Sequence, residues 1–177
     1  MITITLKDGS KKKYEKNITV IDVAKDISEG FARNVISASF NGKTVEVSTN
    51  LNENGVLELY TWDDNEGKKA FWHSSSHVLA QALEELYPGV KLTIGPAIKN
   101  GFYYDVDFND HLITDKDFDK IESKMISISR EKHDFKMRSV SKNDAIKFYK
   151  KLSNDYKIEL INDLNDGEIT FYKQGNF

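Results

Sequence analysis

The apolar residues repeat with a strand period over most of the first sixty residues and with a helical period in the segment that follows, and this difference constrains the fold more than any other feature. In the first sixty residues, apolar and polar side chains alternate, as in Ile2, Ile4 and Leu6, which is the pattern of strands with one buried face. Over residues 68–87 the apolar positions recur with a helical period until the Pro88-Gly89 dipeptide, which ends helices. The sequence therefore predicts two α+β domains.

The first predicted domain covers residues 1–62 and is followed by a polar linker at residues 63–67. The dipeptides Asp8-Gly9 and Asn41-Gly42 are typical of tight hairpin turns. Between them, the apolar spacing predicts a short amphipathic helix at Val20–Ile27, with Thr19 as its N-cap. Two strands, one helix and two or three further strands favour a ubiquitin-like β-grasp, in which a helix crosses a mixed sheet.

The second predicted domain covers residues 68–177 and begins with the long helix. Strands are predicted at residues 91–95, 102–108, 134–140 and 168–173, and residues 156–164 are apolar but ambiguous. Thr114 with Asp117, and Ser141 with Asp144, have the spacing of helix-capping pairs. The inward positions predicted for the two capped helices are Phe118, Ile121, Met125 and Ile128 in the first, and Ala145, Phe148, Tyr149 and Leu152 in the second. This domain is therefore also expected to be α+β.

His73 and His77 lie four residues apart in the long helix, so both side chains lie on one helix face. At about 100° per residue, this face also carries Ala80 and Glu84. It lies opposite an apolar stripe that consists of Phe71, Ser75, Val78, Ala82, Leu83 and Leu86. Two imidazoles at this spacing can converge on a metal ion, a water molecule or an ester carbonyl.

A metal site at this pair is incomplete by residue type. Zinc proteases with the same spacing place a glutamate directly after the first histidine, whereas this chain has Ser74 there and has no cysteine. Catalytic zinc needs three protein ligands, and His111 and His133 both lie in polar stretches. Proton transfer by a neutral imidazole needs no metal.

Tyr104 and Lys157 are the other candidate site residues. A lysine or a tyrosine can stabilise the negative charge that develops on an ester oxygen. Tyr104 belongs to the run Gly-Phe-Tyr-Tyr-Asp at residues 101–105, and Lys157 belongs to Tyr-Lys-Ile-Glu-Leu at residues 156–160. From spacing alone, a structural role is the simpler interpretation of each, since paired strand aromatics are usually core and lysines are usually solvated.

The composition limits the cellular locations and the binding partners that are expected for this chain. No stretch approaches the roughly 20 apolar residues that a membrane-spanning helix needs, and the absence of cysteine fits a reducing cytoplasm. A formal net charge of −3 argues against a general nucleic-acid coat, although local patches decide such binding. The short basic run at residues 11–13 is interpreted as the solvated face of an edge strand.

Taken in order, these motifs resemble those of threonyl-tRNA synthetases of the bacterial and eukaryotic kind. The first sixty residues are similar to their TGS domain. The start of their editing domain is similar to Trp-His-Ser-Ser-Ser-His-Val-Leu at residues 72–79, and further matches are Ile-Gly-Pro at residues 94–96 and the runs at residues 101–105 and 156–160. The resemblance covers essentially the whole chain.

The resemblance implies an enzyme that ligates threonine to its tRNA with ATP and corrects its own errors. A threonine site cannot strongly exclude serine, since one methyl group is worth roughly 1–3 kcal/mol, so seryl-tRNA(Thr) forms and is hydrolysed at a second site. The resemblance assigns His73, His77, Tyr104 and Lys157 to that catalytic site. His73 would activate or position water, Lys157 would contact the terminal ribose or the leaving oxygen, and His77 and Tyr104 would shape a serine-sized pocket.

The resemblance also implies which cofactors and partners to expect, and how much of the editing domain the chain contains. It implies no cofactor in this region, and ATP, magnesium and zinc in an aminoacylation domain that the chain does not contain. The implied partners are tRNA(Thr) and mischarged seryl-tRNA, with no membrane, a cytoplasmic location and a homodimer formed through other domains. In the family, the strand matching residues 168–177 leads into an Asp-Leu-Cys-Arg-Gly-Pro-His segment that adds residues to the same site. The second domain is therefore expected to be an editing domain truncated at its C-terminus.

Two alternative functions are compatible with the same residues. The His-x-x-x-His element is shared with zinc-dependent alanyl-tRNA editing hydrolases. TGS-like domains also occur in non-catalytic modules that bind RNA or a regulatory ligand.

Overall fold

The computed structural model describes residues 1–165, 167, 169–175 and 177, and these residues form two compact units. The units are Met1–Trp72 and His73–Phe177. Helices and strands occur in both of them, which confirms the predicted α+β class. No helix in the described part of the chain is long and apolar enough to cross a membrane.

The first unit contains a five-stranded mixed sheet. Its elements are β1 (Ile2–Leu6), β2 (Lys11–Tyr14), β3 (Ile18–Thr19), α1 (Val20–Ile27), α2 (Glu29–Ala32), β4 (Ser37–Phe40), β5 (Lys43–Val45), β6 (Asn50–Leu51) and β7 (Gly55–Tyr60). The strand order is β2-β1-β7-β4-β5. Only β1 and β7 run parallel in this sheet. The lysine-rich strand β2 forms one edge, as predicted.

Helix α1 packs on this sheet through its valines. Val20 and Val23 are fully buried in a cluster with Ile4 of β1 and Leu57 of β7. The predicted helix bounds and N-cap are confirmed, since the Thr19 hydroxyl accepts a hydrogen bond from the Asp22 backbone N–H at 3.2 Å. One helix therefore lies across a mixed sheet, as the sequence pattern predicts.

The long helix α3 (Asn65–Leu86) begins three residues before the predicted start. The Asp64 carboxylate accepts hydrogen bonds from the Thr61 backbone N–H at 2.8 Å and from the Thr61 hydroxyl at 3.2 Å. Gly67 is buried, and a Cβ atom there would lie only 1.9 Å from the Thr61 carbonyl oxygen. The turn at Thr61 thus starts the helix early, and position 67 in the first helical turn has room only for glycine.

The second unit surrounds the C-terminal part of α3 with shorter elements. These are β8 (Lys91–Leu92), β9 (Ala97–Ile98), β10 (Gly101–Phe102), β11 (Val106–Asp107), α4 (Asp115–Arg130), β12 (Phe135–Ser139), α5 (Lys142–Lys151), α6 (Asp155–Asn162) and β13 (Thr170–Gln174). The strands predicted at residues 91–95 and 102–108 are in fact two-residue pairings, β8 with β11 and β9 with β10. The ambiguous segment is helical, and the last strand begins at Thr170. Residue 168, where that strand was predicted to begin, lies outside the described residues.

The core of the second unit corrects the predicted helix faces. Ala80 was placed beside the histidines and away from the core, yet it is buried together with Leu83, Leu92 and Ile121. Phe71, assigned to the apolar stripe, is 42% exposed. The single-stripe prediction fails because α3 is covered on more than one side, so that even Ser76 and Gln81 are buried.

The two capped helices bury fewer residues than their spacing predicts. In α4, Ile121 and Ile128 are buried as expected, but Phe118 is 59% exposed. In α5, Ala145 is buried, whereas Phe148 and Leu152 are exposed. Apolar spacing identified these helices correctly and overestimated the width of their buried faces.

A pair of adjacent residues on β7 tests the core of the first unit. We expect Leu57→Ala to lower the free energy of unfolding by about 2–5 kcal/mol, because Leu57 is fully buried and truncation leaves a cavity. Val56→Ala is the matched control, since Val56 is 47% exposed and should cost about 0.5 kcal/mol or less. Both tryptophans, Trp62 and Trp72, lie in this unit, so their fluorescence in a urea titration follows its unfolding. Equal losses for the two variants would contradict the described core.

Candidate functional site

The two histidines of α3 contact each other directly. Their Nε2 atoms lie 3.1 Å apart, and their ring centroids are 4.7 Å apart with the planes nearly perpendicular. A hydrogen bond between two ring nitrogens requires one to donate and the other to accept. His73 is exposed, whereas His77 is half-buried. The helical spacing thus produces a coupled imidazole pair with one member accessible to water.

Two aromatic side chains from the antiparallel strands β12 and β13 line this pair. The Tyr172 ring centroid lies 5.3 Å from that of His73 and 4.8 Å from that of His77. Phe135 lies 5.9 Å from His77 by the same measure. The Tyr172 hydroxyl donates to Met137 Sδ at 3.3 Å, and Tyr172 pairs with Met137 across the two strands. The contacts of Tyr172 and Phe135 with the histidines could not be predicted from the sequence, because no local spacing relates these strands to α3.

Burial sets the protonation state of His77. Desolvation, followed by the charges of His73 and Lys157, lowers the pKa of His77 from 6.5 to about 4. His77 is therefore neutral at neutral pH and can donate one hydrogen bond and accept another.

Lys157 lies in the first turn of α6, and its charge acts on His77. Burial lowers the pKa of Lys157, and the carboxylate of Glu84 opposes that shift. Its Nζ atom is 6.0 Å from the centroid of the Tyr149 ring. The half-buried lysine thus supplies a positive charge beside the histidines.

Tyr104 joins the same group of residues through Glu84. Burial raises the pKa of Tyr104 to about 12, and Tyr149 and Glu84 add to this shift, so the phenol keeps its proton at neutral pH. Gly95 packs on its ring, and a Cβ atom at Gly95 would lie 2.4 Å from two ring carbons. Desolvation raises the pKa of Glu84, and Lys157 offsets this, although Glu84 as a whole is exposed.

Contact and charge relate the four residues that the sequence singled out. His73 and His77 touch, the charge of Lys157 acts on His77, and the charge of Glu84 acts on both Tyr104 and Lys157. Glu84 was placed on the histidine face by its helical spacing, but no role was assigned to it, and Tyr149 was interpreted as core. The catalytic roles of the four residues stay predictions.

The other two histidines are not part of this group. His111 lies 3.5 Å from the Asp117 carboxylate and His133 lies 3.0 Å from that of Glu131. Among the residues that the structure describes, no three histidine, aspartate or glutamate side chains are placed to share a metal ion. The group that does form combines a neutral imidazole, a cation and a phenol donor, which suits metal-free hydrolysis of an ester.

Comparison with known proteins identifies the relatives of this chain. Residues 2–61 match the TGS domain model. Over its whole length the chain is 63% identical to the threonine–tRNA ligase of Flavobacterium psychrophilum and 62% identical to that of Flavobacterium johnsoniae. It is 48% identical to the threonine–tRNA ligase of Clostridioides difficile.

These matches confirm the predicted resemblance and do not favour either alternative function. The chain spans 27% of the length of each Flavobacterium enzyme and 28% of the Clostridioides enzyme. The match therefore relates the chain to one region of these ligases.

The pKa of His77 tests the geometry of the site. In an NMR titration of the imidazole signals, we expect His77 to titrate at about pH 4. Lys157→Met should raise this pKa, because it removes a nearby positive charge. The matched control is Lys147→Met on α5, since Lys147 is 75% exposed and pairs with Asp144. An unchanged His77 pKa in Lys157→Met would show that Lys157 does not lie beside the histidines.

Proposed function

We propose that this chain is one region of a threonine–tRNA ligase, and that its second unit hydrolyses serine from mischarged seryl-tRNA(Thr). The observation that carries this proposal is the contact of His73 with His77 at 3.1 Å beside the charge of Lys157. The similarity to threonine–tRNA ligases along the whole chain supplies the substrate class.

The need for such a site follows from the size of the substrates. Serine differs from threonine by the absence of one methyl group, a difference worth roughly 1–3 kcal/mol in a binding pocket. A single synthetic site therefore attaches serine at a measurable rate. A second site that accepts the smaller product and excludes the larger one corrects the error.

The reaction at this site is hydrolysis of the ester that joins the amino acid to the terminal ribose. The exposed His73 accepts a proton from a water molecule whose oxygen attacks the ester carbonyl carbon. Neutral His77 holds His73 through the shared hydrogen bond. The bond between the carbonyl carbon and the ribose oxygen then breaks, and His73 returns its proton to the ribose oxygen. Serine and the uncharged tRNA leave.

Lys157 stabilises the charge that develops in the reaction, and Tyr104 binds the aminoacyl group and shapes its pocket. The Lys157 ammonium stabilises the negative charge that develops on the leaving ribose oxygen. The Tyr104 hydroxyl keeps its proton and can donate to an oxygen of the aminoacyl group. With His77, Tyr104 bounds a pocket sized for the serine side chain.

The remaining features of the enzyme follow from the same proposal. The complete protein ligates threonine to tRNA(Thr) with ATP and magnesium in another domain, which also holds a zinc ion. It acts in the cytoplasm as a homodimer formed through other domains, and tRNA(Thr) is its principal partner.

Hydrolysis of preformed seryl-tRNA(Thr) by the complete ligase tests this function. We expect the double variant His73→Ala/His77→Ala to release serine at least about 100-fold more slowly, which is the contribution typical of a proton-transferring side chain. His133→Ala is the matched control, since His133 is an exposed histidine of the same unit that lies beside Glu131. Unchanged hydrolysis in the double variant would rule out the histidine pair as the editing site.

A further inference from the structure

The buried side chain of Asn154 holds the first turn of α6, which carries Lys157, through hydrogen bonds. The Asn154 Oδ1 atom accepts a hydrogen bond from the Lys157 backbone N–H at 3.1 Å. The Asn154 Nδ2 atom donates to the Leu92 backbone carbonyl at 3.0 Å, across 62 residues of sequence. Asn154 is only 8% exposed, so both ends of its amide are used within the protein.

We propose that Asn154 is a positioning residue for the editing reaction, which fixes the place of the Lys157 ammonium by tying the first turn of α6 to β8. This inference rests on the proposed function for its effect on hydrolysis. Its structural part, the placement of Lys157 beside His77, can be measured independently.

The other end of this connection, Leu92 of β8, packs against the helix that carries the histidines. Leu92 is buried in one cluster with Ala80 and Leu83 of α3. A displacement of α6 relative to β8 would therefore also displace Lys157 relative to α3. Asn154 thus links the lysine backbone to the packed core that contains Ala80 and Leu83 of α3.

The chemistry of the amide distinguishes Asn154 from an ordinary helix cap. The caps Thr19, Ser28 and Ser141 each accept one backbone N–H bond at the start of their helices through a hydroxyl. A hydroxyl at position 154 would serve α6 equally well in that respect. A hydroxyl accepts and donates through one oxygen atom, whereas the amide of Asn154 caps the helix with its oxygen and reaches the Leu92 carbonyl with its nitrogen.

Precise placement matters because Lys157 has a long side chain with many rotamers. Fixing its backbone removes one source of displacement, and the ring of Tyr149 lies beside the ammonium. The Asn154 backbone N–H also donates to the Tyr149 carbonyl at 3.1 Å, which fixes the preceding turn. A misplacement of about 1 Å can cost up to about 100-fold in rate.

Asn154→Ser tests this inference, because serine keeps the helix cap and lacks the separate amide nitrogen that donates to the Leu92 carbonyl. By NMR, we expect this variant to raise the pKa of His77, in the same direction as Lys157→Met and by no more. In the complete ligase, we expect hydrolysis of seryl-tRNA(Thr) to slow by about 10- to 100-fold. Ser141→Ala is the matched control: it removes a helix cap from α5 and should change neither quantity.

A double-mutant cycle separates positioning from general destabilisation. If Asn154 acts through Lys157, Asn154→Ser should slow hydrolysis little further in a Lys157→Met background. An equal loss in both backgrounds would overturn the proposal, as would a normal His77 pKa and normal hydrolysis in a less stable Asn154→Ser protein.

Two further controls keep the result decisive. If Asn154→Ser does not fold, Asn154→Gln replaces it, since it keeps the amide and shifts it by one methylene group. If the wild-type ligase does not hydrolyse seryl-tRNA(Thr), the proposed function fails, while the His77 titration still supports or overturns the placement of Lys157 by Asn154.

Discussion

The packing of α3 against β8 and α4 is the contact on which the second unit depends. Ala80 and Leu83 of α3 are buried with Leu92 of β8 and Ile121 of α4, so two other elements pack on this helix. The histidines lie about one to three turns before Ala80 and Leu83 on the same helix. A rigid helix with a fixed core face presents His73 and His77 in one orientation, which is what a site for catalysis requires.

Desolvation is the common cause of the shifted pKa values at this site. It is the largest influence on the pKa of His77, Glu84, Tyr104 and Lys157 alike, lowering those of the two bases and raising those of the two acids. The charges of Glu84 and Lys157 partly offset the cost of burying each other. A neutral imidazole, a phenol that keeps its proton and a lysine charge thus coexist at neutral pH, and burial keeps His77 neutral to a lower pH than an exposed imidazole.

Local sequence signals predicted the elements well and their burial poorly. The helix at Val20–Ile27 and its Thr19 cap followed from spacing and residue type, and the histidine contact followed from a separation of four residues. Helical spacing also placed Glu84 on the histidine face. Ala80 was placed on the wrong side, because burial depends on elements that pack from several directions. Tyr172, Phe135 and the Asn154–Leu92 bond connect segments far apart in sequence, and no local pattern encodes such pairings.

Binding of an uncleavable substrate analogue tests the central claim, that the histidine pair of this chain is an ester-hydrolysing site for serine. The analogue is seryl-adenosine in which an amide replaces the ester, titrated into this chain and followed by NMR. We expect the imidazole signals of His73 and His77 to shift on saturation, and the threonyl analogue to bind more weakly because of its extra methyl group. Shifts confined to residues remote from the pair, or none at millimolar analogue, would contradict the claim.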